Sequence, residues 1–90
     1  MSRFTEKQGQ YLAFIYLYEL INGRPPAESD MQAFFRVTPP SVHSMVAELE
    51  RRGLITRTPR TARSIRVNVA REDLPALHRP QPIEFPVGDH

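Results

Sequence analysis

The chain has 90 residues, which is enough for one small domain and too few for a second hydrophobic core. It contains no cysteine, which excludes a disulfide framework, thiolate chemistry and a Cys-based zinc site. The net charge of +2 excludes no class of partner, so the distribution of charge along the chain is more informative.

Signals for export, membrane insertion and catalysis are not found. The segment MSRFTEKQGQ lacks a signal-peptide pattern, and the most apolar run, residues 11–21, contains Glu19 and is too short to span a bilayer. His43, His78 and His90 lack metal-ligand spacing, and no Gly-rich phosphate loop or H-E-x-x-H motif is present. We therefore expect a cytoplasmic protein that is not an enzyme and holds no cofactor and no metal.

The first predicted helix begins after Thr5 and ends near Asn22. Thr5 and Gln8 form the T-x-x-Q pattern of a capping box, and Gly23 is the residue type that commonly ends a helix. The prolines of GRPPA then prevent continuation. The residues expected to face the core are Leu12, Ile15 and Tyr18, with Tyr11 or Phe14. The apolar residues left over are Tyr16, Leu17 and Leu20.

Two further helices are predicted. A short one runs from Ser29 or Ala27 to about Arg36, and its inward-facing residues are Met31, Phe34 and Phe35. The third has Thr38 as N-cap and Pro39 as its first residue, where a missing N–H costs nothing, and it ends at Arg52 before Gly53. Its buried stripe, at i, i+3, i+4 and i+7, consists of Val42, Met45, Val46 and Leu49.

The opposite face of the third helix is small and polar. It carries Pro40, Ser44, Ala47 and Arg51, flanked by Ser41, His43 and Glu48. A helix that only needs to be solvated usually carries long charged side chains there. Small residues and short donors instead favour close approach to a DNA groove.

A basic β-hairpin is predicted after the third helix. LITRT and SIRVNV each alternate apolar with polar residues and bracket PRTAR. Seven arginines lie between positions 51 and 71, with no Asp or Glu, which is typical of a nucleic-acid face. Three helices followed by a two-stranded hairpin predict a mainly α fold, the winged helix-turn-helix, over residues 1–70.

The tail, residues 71–90, differs in composition. Its prolines forbid a long helix, although a single turn near 72–77 fits. Its apolar residues favour an extended arm that packs on its own domain or on a partner subunit, and the alternative is a disordered end. These apolar residues are Leu74, Leu77, Ile83, Phe85 and Val87.

Several motifs in the correct order resemble the N-terminal DNA-binding domain of the LexA repressors. They are the T-x-x-Q helix start, the N-G-x-P-P turn, the S/T-P-x-[ST]-V-H start of the third helix, L-E-x-[KR]-G-L-I at its end, and R-x-I-x-V in the second wing strand. The resemblance covers residues 4–69. The self-cleaving Ser/Lys domain of that family, where LexA also dimerises, has no counterpart here, and Lys7 is the only lysine. We therefore expect a stand-alone DNA-binding chain without self-cleavage.

The resemblance implies a sequence-specific double-stranded DNA-binding regulator, with a repressor expected. The recognition helix, residues 39–52, would enter the major groove, and the wing, residues 56–66, would contact the DNA backbone or the minor groove. The candidate DNA-binding residues are Thr38, Pro40, Ser41, His43, Ser44, Ala47, Arg51, Arg57, Arg60 and Arg63. Arg52 and Arg66 could instead pair with Glu48 or Glu50.

Two other functions remain open from the sequence: a protein-interaction winged helix and a nonspecific nucleic-acid binder. The surplus apolar residues of the first helix suggest a homodimer formed with the C-terminal arm, since exposed apolar patches usually mark interaction sites. The alternative is a monomer in which the tail folds back over Tyr16, Leu17 and Leu20.

Overall fold

The computed structural model describes residues 3–80, and their architecture confirms the predicted fold class. The elements in chain order are α1 (Glu6–Asn22), α2 (Glu28–Phe35), α3 (Pro39–Arg51), β1 (Ile55–Thr56), β2 (Arg66–Val67) and a short 3-10 helix (Arg71–Asp73). Three helices thus precede a two-stranded antiparallel sheet. Within the described residues, no helix is both long enough and apolar enough to cross a membrane.

The start and end of α1 follow the predicted signals. The Thr5 hydroxyl accepts the Gln8 backbone N–H at 3.1 Å, and the Gln8 side chain accepts the Thr5 backbone N–H at 2.9 Å. Two N–H groups that a helix start leaves unpaired are satisfied in this way. The helix stops where Gly23 adopts φ 77°, a conformation that glycine reaches without a Cβ clash.

A carboxylate supplied from within the helix caps α2. Its N-cap residue, Ala27, has no side-chain acceptor, and the Asp30 carboxylate accepts the Ala27 backbone N–H at 2.8 Å. The helix therefore begins at Glu28, between the two predicted starts. Arg36 ends it in a left-handed conformation, with φ 57°.

The predicted start of α3 at Pro39 is confirmed, but the predicted side-chain cap is not formed. Thr38 occupies the N-cap position without bonding to a helix N–H, because its hydroxyl lies 3.0 Å from that of Ser41. The Ser41 backbone N–H donates to the Thr38 carbonyl instead. The helix ends at Arg51, one residue earlier than predicted, and Gly53 follows with φ 76°.

The core lies where the three helices meet the sheet. Val42, Val46 and Leu49 of α3 are fully buried as predicted, whereas Met45 is half-buried at the edge. The buried partners from the other elements include Tyr11, Leu12, Phe14, Ile15, Met31, Leu54, Ile55, Ile65 and Val69. Such burial supplies most of the free energy that holds a domain of this size together.

An aromatic cluster joins α1 to α2. The Tyr11 and Phe35 rings stack with centroids 4.1 Å apart, and the Phe14 and Phe34 rings are 4.7 Å apart. Aromatic pairs at such distances stabilise beyond the area they bury. The predicted inward faces of both helices are therefore in contact.

The hairpin is shorter in regular strand than the sequence pattern predicted. Only two residues per strand pair, with Ile55 opposite Val67 and Thr56 opposite Arg66. Beyond them, the Ser64 hydroxyl closes the loop, accepting the Thr58 backbone N–H and contacting the Thr58 and Thr61 carbonyls at 3.1 and 2.9 Å. This loop, residues 57–64, replaces the strand ladder at the wing tip.

The first part of the tail packs on its own domain. Leu74 and Leu77 contact the core, and the predicted turn is the 3-10 helix at Arg71–Asp73. The other apolar tail residues, Ile83, Phe85 and Val87, lie outside the described residues. The division into residues 1–70 and 71–90 stays a prediction.

The surplus apolar residues of α1 lie towards its C-terminal end. Tyr16 and Leu17 are half-buried, whereas Leu20 is 65% exposed and Ile21 is 78% exposed. Tyr18, predicted to be buried, is half-buried and packs against the core. A small apolar patch, formed by Leu20 and Ile21, is therefore left uncovered by the described residues.

The two helix starts give a direct test of side-chain capping. Thr5→Ala should lower the free energy of unfolding by about 1 kcal/mol, because it removes the acceptor for an unpaired helix N–H. Thr38→Ala is the matched control at the corresponding position of α3 and should change stability by less than about 0.5 kcal/mol. Urea unfolding followed by circular dichroism measures both. Equal losses would contradict the assigned difference between the caps.

Candidate nucleic-acid interface

The outward face of α3 is an exposed strip of short side chains. Pro40, Ser41, His43, Ser44 and Ala47 are all exposed, on the side opposite the buried valines. Apart from His43, the residues of the strip have short side chains. This geometry permits close approach of a flat or grooved ligand to the helix backbone.

The beginning of α3 offers hydroxyls more than free amides. The Thr38 and Ser41 hydroxyls are paired and exposed, while the Ser41 and Val42 backbone N–H groups donate to the Thr38 carbonyl. Pro39 and Pro40 have no N–H at all. Polar recognition at this end therefore depends on side-chain groups.

At the other end of α3, Arg51 is held by a neighbour on the same helix. Its guanidinium makes a two-point contact with the Glu48 carboxylate, and the Nε–Oε1 distance is 3.1 Å. The hydrogen bonds from Arg51, and then its charge, hold the pKa of Glu48 below its ordinary value. The Arg51 side chain is 71% exposed and that of Glu48 is 37% exposed, so solvent screens the pair, and Arg51 can exchange Glu48 for a stronger anion.

Arg57, at the base of the wing, is clamped between two helices. Its guanidinium lies 2.9 Å from the Glu50 carboxylate of α3 and 3.4 Å from the Glu28 carboxylate of α2. The arginine side chain is only 29% exposed. The same Glu28 carboxylate lies 3.7 Å from His43 Nδ1, which links the recognition strip to the wing.

Arg63, on the other side of the wing loop, reaches the first turn of α2 and the preceding loop. It lies 3.0 Å from the Asp30 carboxylate and donates to the Pro25 carbonyl at 3.3 Å. The Ala27 backbone N–H, together with the nearby Arg63 charge, holds the pKa of Asp30 below its ordinary value of 3.8. The Tyr18 hydroxyl is 3.4 Å from the same guanidinium.

Arg60 is the wing-tip arginine that remains open to solvent. It is exposed, has φ 62°, and forms no ion pair with any residue in 3–80. Arg66, on β2, is likewise exposed and forms no ion pair in that part of the chain. The positive charge that the wing presents to a ligand is therefore concentrated in Arg60 and Arg66.

The structure brings most of the ten predicted residues onto one side of α3 and the adjacent wing, but it gives the wing arginines different environments. The sequence showed a stretch of arginines without acids, and the compensating carboxylates come from distant positions, chiefly Glu28 and Asp30. Glu48 and Glu50 pair with Arg51 and Arg57, not with Arg52 or Arg66. Arg52 instead donates to the Arg3 carbonyl at 3.4 Å.

Sequence reasoning missed Glu28 and Asp30 as wing anchors. The available signal was two acidic residues in the first turn of a predicted helix, where unpaired N–H groups favour negative charge. It also missed Lys7 and Gln8, which line a surface depression together with residues of α3. Nothing in the local pattern of α1 separates Lys7 from a solvated residue, and the T-x-x-Q pattern predicted Gln8 only as part of the helix start.

Comparison with known proteins agrees with the geometry. The LexA DNA binding domain family matches residues 1–64, most of the chain. The chain belongs to this family. The match includes all three helices, the first wing strand and the whole wing loop.

Three LexA repressors are among its relatives. The LexA repressor of Thermosipho melanesiensis is 43% identical over 65 residues, which is 72% of this chain and 33% of that protein. The LexA repressor of Thermosipho africanus is 34% identical over 97% of this chain and 39% of its own length. That of Pseudothermotoga lettingae is 35% identical over 92% and 36%, respectively. The chain thus spans between 33% and 39% of the length of these relatives.

The Asp30 carboxylate makes the stability of this LexA-family domain depend on pH. Because its folded pKa is lowered, its contribution is present above about pH 4 and is lost as the pH falls through the folded pKa. Asp30→Asn should lower stability at neutral pH and flatten the decline in acid. Urea unfolding from about pH 6 down to about pH 2 measures both effects.

Asp73→Asn is the matched control, since Asp73 is exposed and forms no ion pair in residues 3–80. It should retain the wild-type decline in acid. An unchanged acid profile for Asp30→Asn would contradict the role of Asp30 in holding Arg63.

Proposed function

We propose that the chain is a sequence-specific double-stranded DNA-binding transcriptional regulator that acts as a repressor. The observation that carries the proposal is the exposed strip of small side chains on α3, bordered by an anchored wing with an open arginine at its tip. Membership of the LexA DNA binding domain family supports the same function. Repression would follow from occupation of an operator in the cytoplasm, with no chemical step.

The proposed base contacts lie in the first two turns of α3. Ser41, His43 and Ser44 carry short polar groups suited to base edges, while Pro40 and Ala47 allow the helix to approach. The Thr38 hydroxyl would face a phosphate at the groove edge. His43 Nδ1 lies 3.7 Å from the Glu28 carboxylate, so the imidazole is close to the residue that also holds Arg57.

The proposed contacts to the DNA backbone come from arginines that differ in how firmly the protein itself holds them. Arg60 is free to meet a phosphate or to enter the minor groove, and Arg51 can exchange Glu48 for a phosphate. Arg57 and Arg63 also border this surface, but their ion pairs with α2 and α3 favour a role in holding the wing in position. Their removal should therefore disturb wing geometry.

Selection from a random duplex library at physiological salt tests sequence-specific binding, because phosphate-only contacts are weak there. The wild-type chain should enrich a defined sequence. His43→Ala or Ser44→Ala should change the preferred base at one position, with a cost of about 1–3 kcal/mol. Arg60→Ala should leave the preferred sequence unchanged and flatten the salt dependence of binding by about one unit.

The alternatives predict different results. A nonspecific nucleic-acid binder would bind duplexes without enrichment, and a protein-interaction module would not bind duplex DNA at physiological salt. A change of preferred sequence caused by Arg60→Ala, with none from the α3 variants, would contradict the docking orientation.

We further propose that the chain forms a homodimer through α1, with Tyr16, Leu17 and Leu20 at the interface and the C-terminal arm alongside. Leu20 and Ile21 are exposed. Ala76 of the tail bonds to Gln10, in the N-terminal half of α1, and does not cover them. Exposed neighbouring apolar side chains support association with a second copy. A dimer would also read two half-sites on one duplex.

Sedimentation at micromolar concentration tests the dimer. The wild-type chain should sediment as a species of about twice the 10.4 kDa chain mass. Leu20→Glu should convert it to a monomer, because a desolvated carboxylate would face an apolar partner. Lys7→Glu, at an exposed position at the other end of α1, is the charge control and should remain dimeric. A wild-type monomer would remove the dimer proposal without affecting that for DNA binding.

A further inference from the structure

Gln10 of α1 holds the chain segment that follows the wing. Its side-chain Nε2 donates to the Ala76 carbonyl at 2.8 Å, and its Oε1 accepts the His78 backbone N–H at 2.7 Å. Both ends of one amide thus bind backbone groups two residues apart. This two-point contact fixes the position and the direction of the segment.

Apolar contacts reinforce the Gln10 clamp. Leu74 and Leu77 pack against the core, and the Pro75 ring lies over Gly9, where an added Cβ would be 3.0 Å from Pro75 Cγ. Gly9 is buried inside α1, so the absence of a side chain there lets the segment approach the helix. Residues 74–78, the docked segment, are therefore part of the folded domain.

The docked segment brings positive charge to the start of α1. His78 and Arg79 line a surface depression there together with Lys7 and Glu6. The two permanent cations outnumber the single carboxylate. The depression therefore has a net positive charge even when the imidazole is neutral.

Lys7 connects this depression to the recognition strip. It also lines the adjoining depression formed with Ser41 and Ser44 of α3. Lys7 therefore borders both the depression lined by Arg79 and the depression beside Ser41 and Ser44, which the Glu48 side chain also lines. A duplex bound at the recognition strip would have its phosphate backbone next to this charge.

We propose that the docked segment and Arg79, which follows it directly, form a third DNA-contacting element, in which Gln10 positions Arg79 to bind a phosphate flanking the α3 site. The inference rests on the proposed function. A contact from Arg79 would add positive charge to the DNA-facing surface, where Arg57 and Arg63 are already compensated by carboxylates. Gln10 is a positioning residue, and Arg79 makes the contact.

Fluorescence anisotropy of the full chain with a labelled duplex of about 20 base pairs, between about 50 and 200 mM salt, tests the proposal. Arg79→Gln should flatten the slope of log K against log salt by about 0.9, the value for one lost phosphate contact. Gln10→Ala keeps every charge and should flatten it by the same amount, because the released segment no longer holds Arg79. The double variant should bind no more weakly than either single variant.

Arg71→Gln is the matched control. It removes the same charge from the same tail, ahead of the docked segment, where the Tyr16 hydroxyl raises the pKa of Arg71. Its salt slope should equal that of the wild type. Gly9→Ala, whose added Cβ would be 3.0 Å from both Pro75 Cγ and Phe4 Cε1, is a second charge-neutral way to disturb the docked segment, and it replaces Gln10→Ala if that variant does not fold.

The outcomes separate the two proposals. A wild-type chain that fails to bind the duplex overturns both. A wild-type chain whose slope responds to Arg60→Ala, but not to Gln10→Ala or Gly9→Ala, overturns the tail contact alone. Flattening by Arg79→Gln without an effect of either charge-neutral variant would show that Arg79 binds without the clamp, and it would also overturn the proposal.

Discussion

The attachment of the wing to the first turn of α2 determines how the rest of the surface is presented. Only two residues pair in each wing strand, and such a short hairpin is not stable by itself. Glu28 and Asp30 hold Arg57 and Arg63 from opposite sides of the wing loop. Because Asp30 also caps α2, one carboxylate fixes both the start of a helix and the position of the wing. Packing of Ile55 and Ile65 against the core completes the attachment.

This attachment divides the arginines between structure and recognition. Arg57 and Arg63 are partly buried and compensated, whereas Arg60 and Arg66 face solvent without an ion pair in the described residues. The positive field around the wing is therefore weaker than a count of its arginines indicates, because only Arg60 and Arg66 are uncompensated there. Binding to DNA would then depend on a few well-placed cations and on the fit of α3.

Local signals predicted the fold well because they act over a few residues. The Thr5–Gln8 capping box, the Gly23 stop and the apolar stripe of α3 all depend on helix geometry, and each is found as predicted, except that Met45 is half-buried. The cap at Thr38 failed because its hydroxyl is paired with that of Ser41, whose backbone N–H donates to the Thr38 carbonyl. Glu28, Asp30 and Gln10 could not be assigned, because their partners lie 29 to 68 residues away along the chain and only tertiary packing brings them together.

The left-handed backbone at Arg60 determines which residue types are most stable at that position. A left-handed conformation disfavours a side chain with a Cβ, typically by about 1 kcal/mol, and glycine or asparagine would relieve it. Arg63 has the same kind of backbone and is retained by its ion pair, but Arg60 has no such intramolecular partner in residues 3–80. Glycine at position 60 would therefore relieve the backbone strain at the wing tip. It would also remove the exposed charge there, so backbone stability and positive charge cannot both be greatest at this position.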